Sequence, residues 1–100
     1  LKLKKIIRNL DKSETAIFGG GGSSTLFLQN FPFLLEKVQF ALDNDKKKIG
    51  KYICANKIKI IESNMINELN IKNIIILDNS HIEFFSNKDL NLINITEFYE

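Results

Sequence analysis

Ala16-Ile17-Phe18 runs directly into Gly19-Gly20-Gly21-Gly22 and then Ser23-Ser24-Thr25, so four of the chain's five glycines stand in one run. Glycine loses more backbone entropy on folding than any other residue, so such a run is reasonable only where the chain needs positive φ or must let another group approach its backbone. Three apolar residues, tandem glycines and hydroxyl residues together spell a buried strand, a tight turn and the start of a helix. That is the outline of a phosphate-binding βα turn, in which backbone N–H groups and the helix dipole meet an anion. Ser23 or Ser24 is expected to cap the helix.

The remainder of the chain reads as scaffold around this turn. Leu3, Ile6, Ile7 and Leu10 share a helical spacing, which predicts an amphipathic lead-in helix within residues 1–14. A basic amphipathic helix can also lie on a membrane, but packing on a sheet explains the pattern with fewer assumptions. Pro32 disfavours helical geometry at Phe31 and suits the first turn of a new short helix. Val38 to Leu42 predicts a second strand that stops at Asp43-Asn44-Asp45. Ile49 to Ile53 and the alternating Lys57 to Ile61 are two pieces joined by a turn at Asn56-Lys57. Ser63 is expected to cap a helix through Leu69, with Asn70 as its stop. Asn73 to Asp78 is the clearest buried strand. A short helix with Ile82, Phe84 and Phe85 follows, and a last strand runs from Leu92 to Phe98.

Strands alternating with helical segments define an α/β chain. Right-handed crossovers would place helices on both faces of a mainly parallel sheet, which predicts a Rossmann-like three-layer sandwich of four to five strands. Ligands in such sheets sit above the carboxyl ends of the strands, where the strand order reverses. Three loops should meet there, and they supply the candidate ligand-binding residues. Gly19, Gly20, Gly21, Gly22, Ser23 and Ser24 suit a diphosphate. Asp43 with Asn44 lies ~20 residues beyond the glycines, where an acidic side chain can accept from ribose hydroxyls. Asp78, Ser80 and His81 would border a base or sugar. Lys46 to Lys48 can meet a phosphate, although lysines in a loop are more commonly solvated. A serine at the third position of the G-x-G-x-x-G pattern weakens the case for a complete NAD site and suits a looser nucleotide or nucleotide-sugar pocket. A P-loop is excluded because no Gly-Lys-Ser/Thr follows.

Composition narrows the function further. One hundred residues, 44% hydrophobic and 26% charged, suffice for one soluble domain. Because the chain opens on Leu1, it is read as a fragment of a longer protein whose other domains are its first partners. A net charge of +2 does not call for nucleic acid. No apolar run reaches the ~20 residues that span a bilayer, so no membrane partner is expected, and a single cysteine points to the cytoplasm. Cys54 and His81 are each alone in kind, so neither a zinc cluster nor a Cys/His pair with a second histidine can be assembled. No catalytic set stands out. Homo-oligomerisation stays open.

The runs Ala16 to Ser24, Phe40 to Lys51 and Lys57 to Ile61 together resemble the Rossmann-like module of bacterial sugar-modifying enzymes. Two relatives share the pattern: the C-terminal domain of sugar C-methyltransferases, and the N-terminal nucleotide-sugar-binding domain of sialic-acid and bacillosamine-type acetyltransferases. The resemblance covers Thr15 to Asp78. It departs from the acetyltransferases at Ser23-Ser24, where they carry a histidine, and from the methyltransferases at Cys54-Ala55, where they often carry Pro-Gly. It implies an accessory domain that positions a nucleotide-linked sugar while another domain does the chemistry. Two alternatives remain: an NAD- or SAM-dependent oxidoreductase or methyltransferase domain using Asp78 or His81, and a ligand-free interaction or dimerisation domain.

Overall fold

A computed structural model describes residues 2–77, 82–85 and 89–95. The expected contributions of Asp78, Ser80 and His81 lie outside these residues, as does the end of the last strand beyond Ile95. The described chain is α/β. A six-stranded sheet comprises β1 (Thr15–Phe18), β2 (Phe40–Asp43), β3 (Tyr52–Ile53), β4 (Ile58–Glu62), β5 (Asn73–Ile76) and β6 (Asn91–Asn94). Their order is β3-β4-β2-β1-β5-β6. All neighbours are parallel except β3, which pairs antiparallel with β4. The sixth strand is β3, where four to five strands were expected. The chain builds outward from β1 through β2 to β4, then returns to β1's other side for β5 and β6.

Alternation of side chains places apolar groups on both faces. Ile60, Ala41, Ile17, Ile75 and Ile93 stand in register across five strands and belong to one cluster. This cluster takes in Ile7 and Leu10 from α1 (Lys2–Arg8) and the segment after it, Leu28 of α2 (Gly22–Asn30) and Leu34 of α3 (Pro32–Leu35). Ala16, Leu42, Ile61, Ile74 and Ile76 face the other way, against Ile66, Ile71 and Phe85 of α4 (Ile82–Phe85). Each fully buried aliphatic contributes ~1.5–3 kcal/mol. Leu3 and Ile7 of α1, with Leu10 just beyond it, pack in this cluster, but Ile6 does not and is 37% exposed. Successive residues are rotated by ~100° on a helix, so with Ile7 turned fully into the cluster Ile6 falls at the edge of the apolar stripe.

Pro32 opens α3 as expected. Asn70 also ends its segment as expected, with φ at 56°. Ile71 N–H donates to Ile66 C=O at 3.0 Å and Asn70 N–H to Asn67 C=O at 3.2 Å, the paired bonds of a Schellman stop. The helix expected after Ser63 is instead a 3-10 turn, Ser63–Met65, running into further turns. Ser63 is its first residue rather than its cap, and its buried Oγ has no hydrogen-bond partner among the described residues.

The β3–β4 connection lacks the glycine such a turn ordinarily uses. Cys54, Ala55 and Asn56 all take positive φ, at 54°, 55° and 66°, a conformation that costs an L-residue with a Cβ ~1–2 kcal/mol. Ala55 is exposed, so burial of its methyl group does little to offset this. Ala55→Gly is expected to raise stability by up to ~1 kcal/mol, because relief of the strain exceeds glycine's entropic cost. A urea midpoint that rises would bear this out, and one that falls would contradict it.

Candidate functional site

The strand order puts β2 and β5 on opposite sides of β1, and the chain reverses between β1 and β5. A pocket of about 200 Å³ opens at the carboxyl ends of these two strands, lined by Phe18, Gly19, Gly21, Gly22, Ser23, Ser24, Ile76 and Leu77. Phe18 forms part of its apolar wall and is held edge-on by Phe85, with ring centroids 5.2 Å apart.

The glycine loop is fastened on one side and open on the other. Gly19 N–H donates to Leu42 C=O at 2.7 Å, extending the β1–β2 ladder. Gly20 N–H donates to Asp43 Oδ2 at 2.9 Å. The reasons for the first two glycines are internal to the fold. Gly19 has φ at 108°, and a Cβ on Gly20 would sit 2.9 Å from Ile60 Cδ1. No such reason applies at Gly22, where a Cβ would meet nothing within 4 Å.

Helix α2 begins two to three residues earlier than the hydroxyl residues suggested. Its cap is Gly21, in extended geometry, and no side chain caps it. Ser23 and Ser24 are therefore inside the first turn. Ser24 is buried and its Oγ points back to Phe18 C=O at 3.5 Å. Gly21 takes the extended geometry of an ordinary cap position, φ -98° and ψ -168°, so the chain enters the helix there and the serines fall inside its first turn. The N–H groups of Gly22, Ser23 and Ser24 precede the first intrahelical bond, which Thr25 makes to Gly21 C=O at 3.2 Å, and such first-turn donors have no intrahelical acceptor. They form one end of the site.

A cation stands beside the loop. Asp43 Oδ1 accepts from Asp45 N–H at 2.9 Å, and Asp45 Oδ1 from Lys47 N–H at 3.0 Å. These two carboxylate-capped turns fold the segment back, and Lys48 Nζ comes within 3.4 Å of a Cβ placed on Gly21. It also lies 3.9 Å from Asp43 Oδ2. Lys46 and Lys47 are exposed, whereas Lys48 is partly buried. Charge and composition alone did not single it out; the Asp43/Asp45 spacing is the signal that could have done so. For Phe18, Ile76 and Leu77 the apolar pattern gives a strand and carries no sign that they line a pocket.

Asp43 is 18% exposed and lies across the glycine loop from the pocket. Its Oδ2 accepts from Gly20 N–H and its Oδ1 from Asp45 N–H, and a carboxylate has about four acceptor positions. Burial pushes its carboxyl up, but bonds from Asp45 and Gly20 N–H, the Lys48 charge and Asn44 N–H outweigh that and hold it below its ordinary range. The folded state therefore favours the carboxylate. Its stabilisation is complete above the ordinary carboxylate range and is lost as pH falls through the lowered folded-state value. Asp43→Asn is expected to flatten the loss of stability below about pH 4. Urea midpoints measured across that range test this, and parallel wild-type and variant profiles would contradict it.

Cys54 is buried, and burial pushes its thiol up despite Lys57 nearby; it packs in the first cluster. Among the described residues no three His, Cys, Asp or Glu side chains gather to hold a metal, and no helix is long and apolar enough to cross a membrane. The chain matches no family model, no curated protein and no solved structure.

Proposed function

We propose that this chain is a Rossmann-like, three-layer nucleotide-sugar-binding module serving a bacterial sugar-modifying transferase. In this reading the glycine loop holds the diphosphate, and Asp43 with Asn44 meets the ribose. What carries it is Gly22, a glycine that the fold itself does not require, lining a pocket where uncapped first-turn amides and Lys48 Nζ flank the loop. Helix N-termini with free N–H groups favour anions. A strand-order reversal is where sheets of this type take ligands. The pocket volume, about 200 Å³, is below the ~300–1,000 Å³ of a site that encloses a drug-sized ligand. It therefore suits the phosphates, with sugar and base resting on the loops outside.

The reading is one of holding rather than reacting. Lys48 neutralises charge and the amides orient it, while the resemblance to sugar methyltransferase and acetyltransferase modules assigns the reacting groups to another domain. Calorimetric titration with UDP- and dTDP-sugars is the test. Saturable heat that UDP alone largely reproduces is expected, since the diphosphate is the anchored part. No heat at millimolar ligand with the fold intact, or tighter binding of NAD or S-adenosylmethionine, would overturn it.

A further inference from the structure

Tyr52, Lys59, Phe40, Ala16, Ile74 and Leu92 stand side by side across all six strands and so share one face of the sheet. Ala16 and Ile74 are buried in the second cluster, but Lys59 is exposed and Tyr52 is 52% exposed. The cover thus ends before the β3–β4 corner, at the opposite end of the strands from the glycine loop. There a groove of about 350 Å³ is lined by Lys12, Gln39, Phe40, Tyr52, Lys57 and Lys59, with no carboxylate among them. A second groove of about 390 Å³ shares Lys12 and Lys57 and continues over Pro32 and Leu35, with Glu36 at its side. None of the three lysines forms an ion pair among the described residues, where the pairs are Lys48–Asp43 and Lys72–Glu14.

We propose that this corner binds single-stranded nucleic acid, with a base stacked on Tyr52 and phosphates on Lys12, Lys57 and Lys59. An exposed ring on a sheet surface beside cations is the arrangement by which proteins hold unpaired bases. Tyr52 and Phe40 flank Lys59 at two strand spacings, ~10 Å apart, leaving room for a backbone between rings. The two grooves adjoin through the shared Lys12 and Lys57 and together hold about twice the volume of either, which favours a strand over a mononucleotide. A duplex keeps its bases stacked and would leave the ring unused. The mild net charge conceals this corner, because the groove under Tyr52 has three lysines and no carboxylate in its lining.

Fluorescence anisotropy with a short labelled oligouridylate tests the proposal on the intact chain. Binding is expected in the ~10⁻⁴–10⁻⁶ M range at physiological salt and tighter below it, with a log–log salt slope of about −2 for three phosphates. Tyr52→Ala should weaken it ~5- to 100-fold, and Lys57→Glu with Lys59→Glu should abolish it. All three side chains are exposed, so circular dichroism melting should be unchanged, and Gly22→Val should bind the strand normally. The proposal is overturned by no anisotropy change at ~0.1 mM protein, by a Tyr52→Ala variant that binds like wild type, or by duplex or free UMP competing as well as the strand.

Discussion

Gly20→Val is expected to destabilise the protein by ~1–3 kcal/mol, the usual cost of forcing extra methyl groups into a packed core. A Cβ at this position would lie 2.9, 3.0 and 3.1 Å from Cδ1, Cγ1 and Cγ2 of Ile60. Ile60 is buried in the first cluster, beside Ala41 in register, and has little room to retreat. The backbone cannot yield cheaply either, since Gly20 N–H is bound to Asp43 and Gly19 N–H to Leu42. In a domain of this size each kcal/mol corresponds to ~4–8 °C in melting temperature. The urea midpoint should fall while the slope m stays constant, because the compactness of the two end states is not altered. Trimming the obstacle should restore part of the loss: Ile60→Ala combined with Gly20→Val is expected to be less destabilised than the sum of the two single changes. Strict additivity would mean that Ile60 is not what holds Gly20 to glycine.

Gly22→Val, two residues along the same loop, should do the reverse. A Cβ there meets nothing within 4 Å, and the residue is in the first turn of α2, where side chains are tolerated. Stability is expected to stay within ~0.5 kcal/mol of wild type, as for surface changes away from packed or hydrogen-bonded sites. Binding of a UDP-sugar should fall at least ~10-fold, the equivalent of ~1.4 kcal/mol, because isopropyl bulk would stand between the ligand and the first-turn amides. Calorimetry and urea unfolding on the same preparation separate the two effects. A variant that binds normally would remove the strongest support for the loop as a ligand site, and one that unfolds would show that Gly22 serves the fold after all.

The sheet was largely legible where the sequence pattern has a single physical solution. Asn73 to Leu77 carries too many consecutive aliphatics to face water on either side, and β5 is an interior strand. Ala16 to Phe18 and Pro32 were similarly unambiguous. Legibility failed where tertiary packing decides between two local solutions. Ser23 and Ser24 are good caps, but Gly21 turns the chain earlier, and Ser24 is then buried against Phe18 C=O. Ser63 looked like a cap for the same chemical reason, yet it is buried at the end of β4 and opens a tight turn. The strand β3 was hard to count because its turn, Cys54-Ala55-Asn56, carries no glycine and adopts positive φ only under the constraint of pairing Tyr52 with Lys59. At the site, the glycines were visible as a group, but their separate duties were not. Only the neighbours divide them: β2 and Ile60 for Gly19 and Gly20, open space for Gly22. Lys48 became distinct from Lys46 and Lys47 through the turn that Asp43 and Asp45 hold.

Backbone amide NMR shifts, followed while the ¹⁵N-labelled chain is titrated with UDP and a UDP-sugar, probe the glycine loop most directly. The largest saturable shifts are expected at Gly22, Ser23 and Ser24, with smaller ones at Gly20 and Asp43 as the carboxylate–Lys48 pair is rearranged, and Gly22→Val should suppress them. Shifts that centre on the β3–β4 corner, or an unresponsive loop at millimolar ligand, would contradict a diphosphate held at the carboxyl ends of β1 and β5.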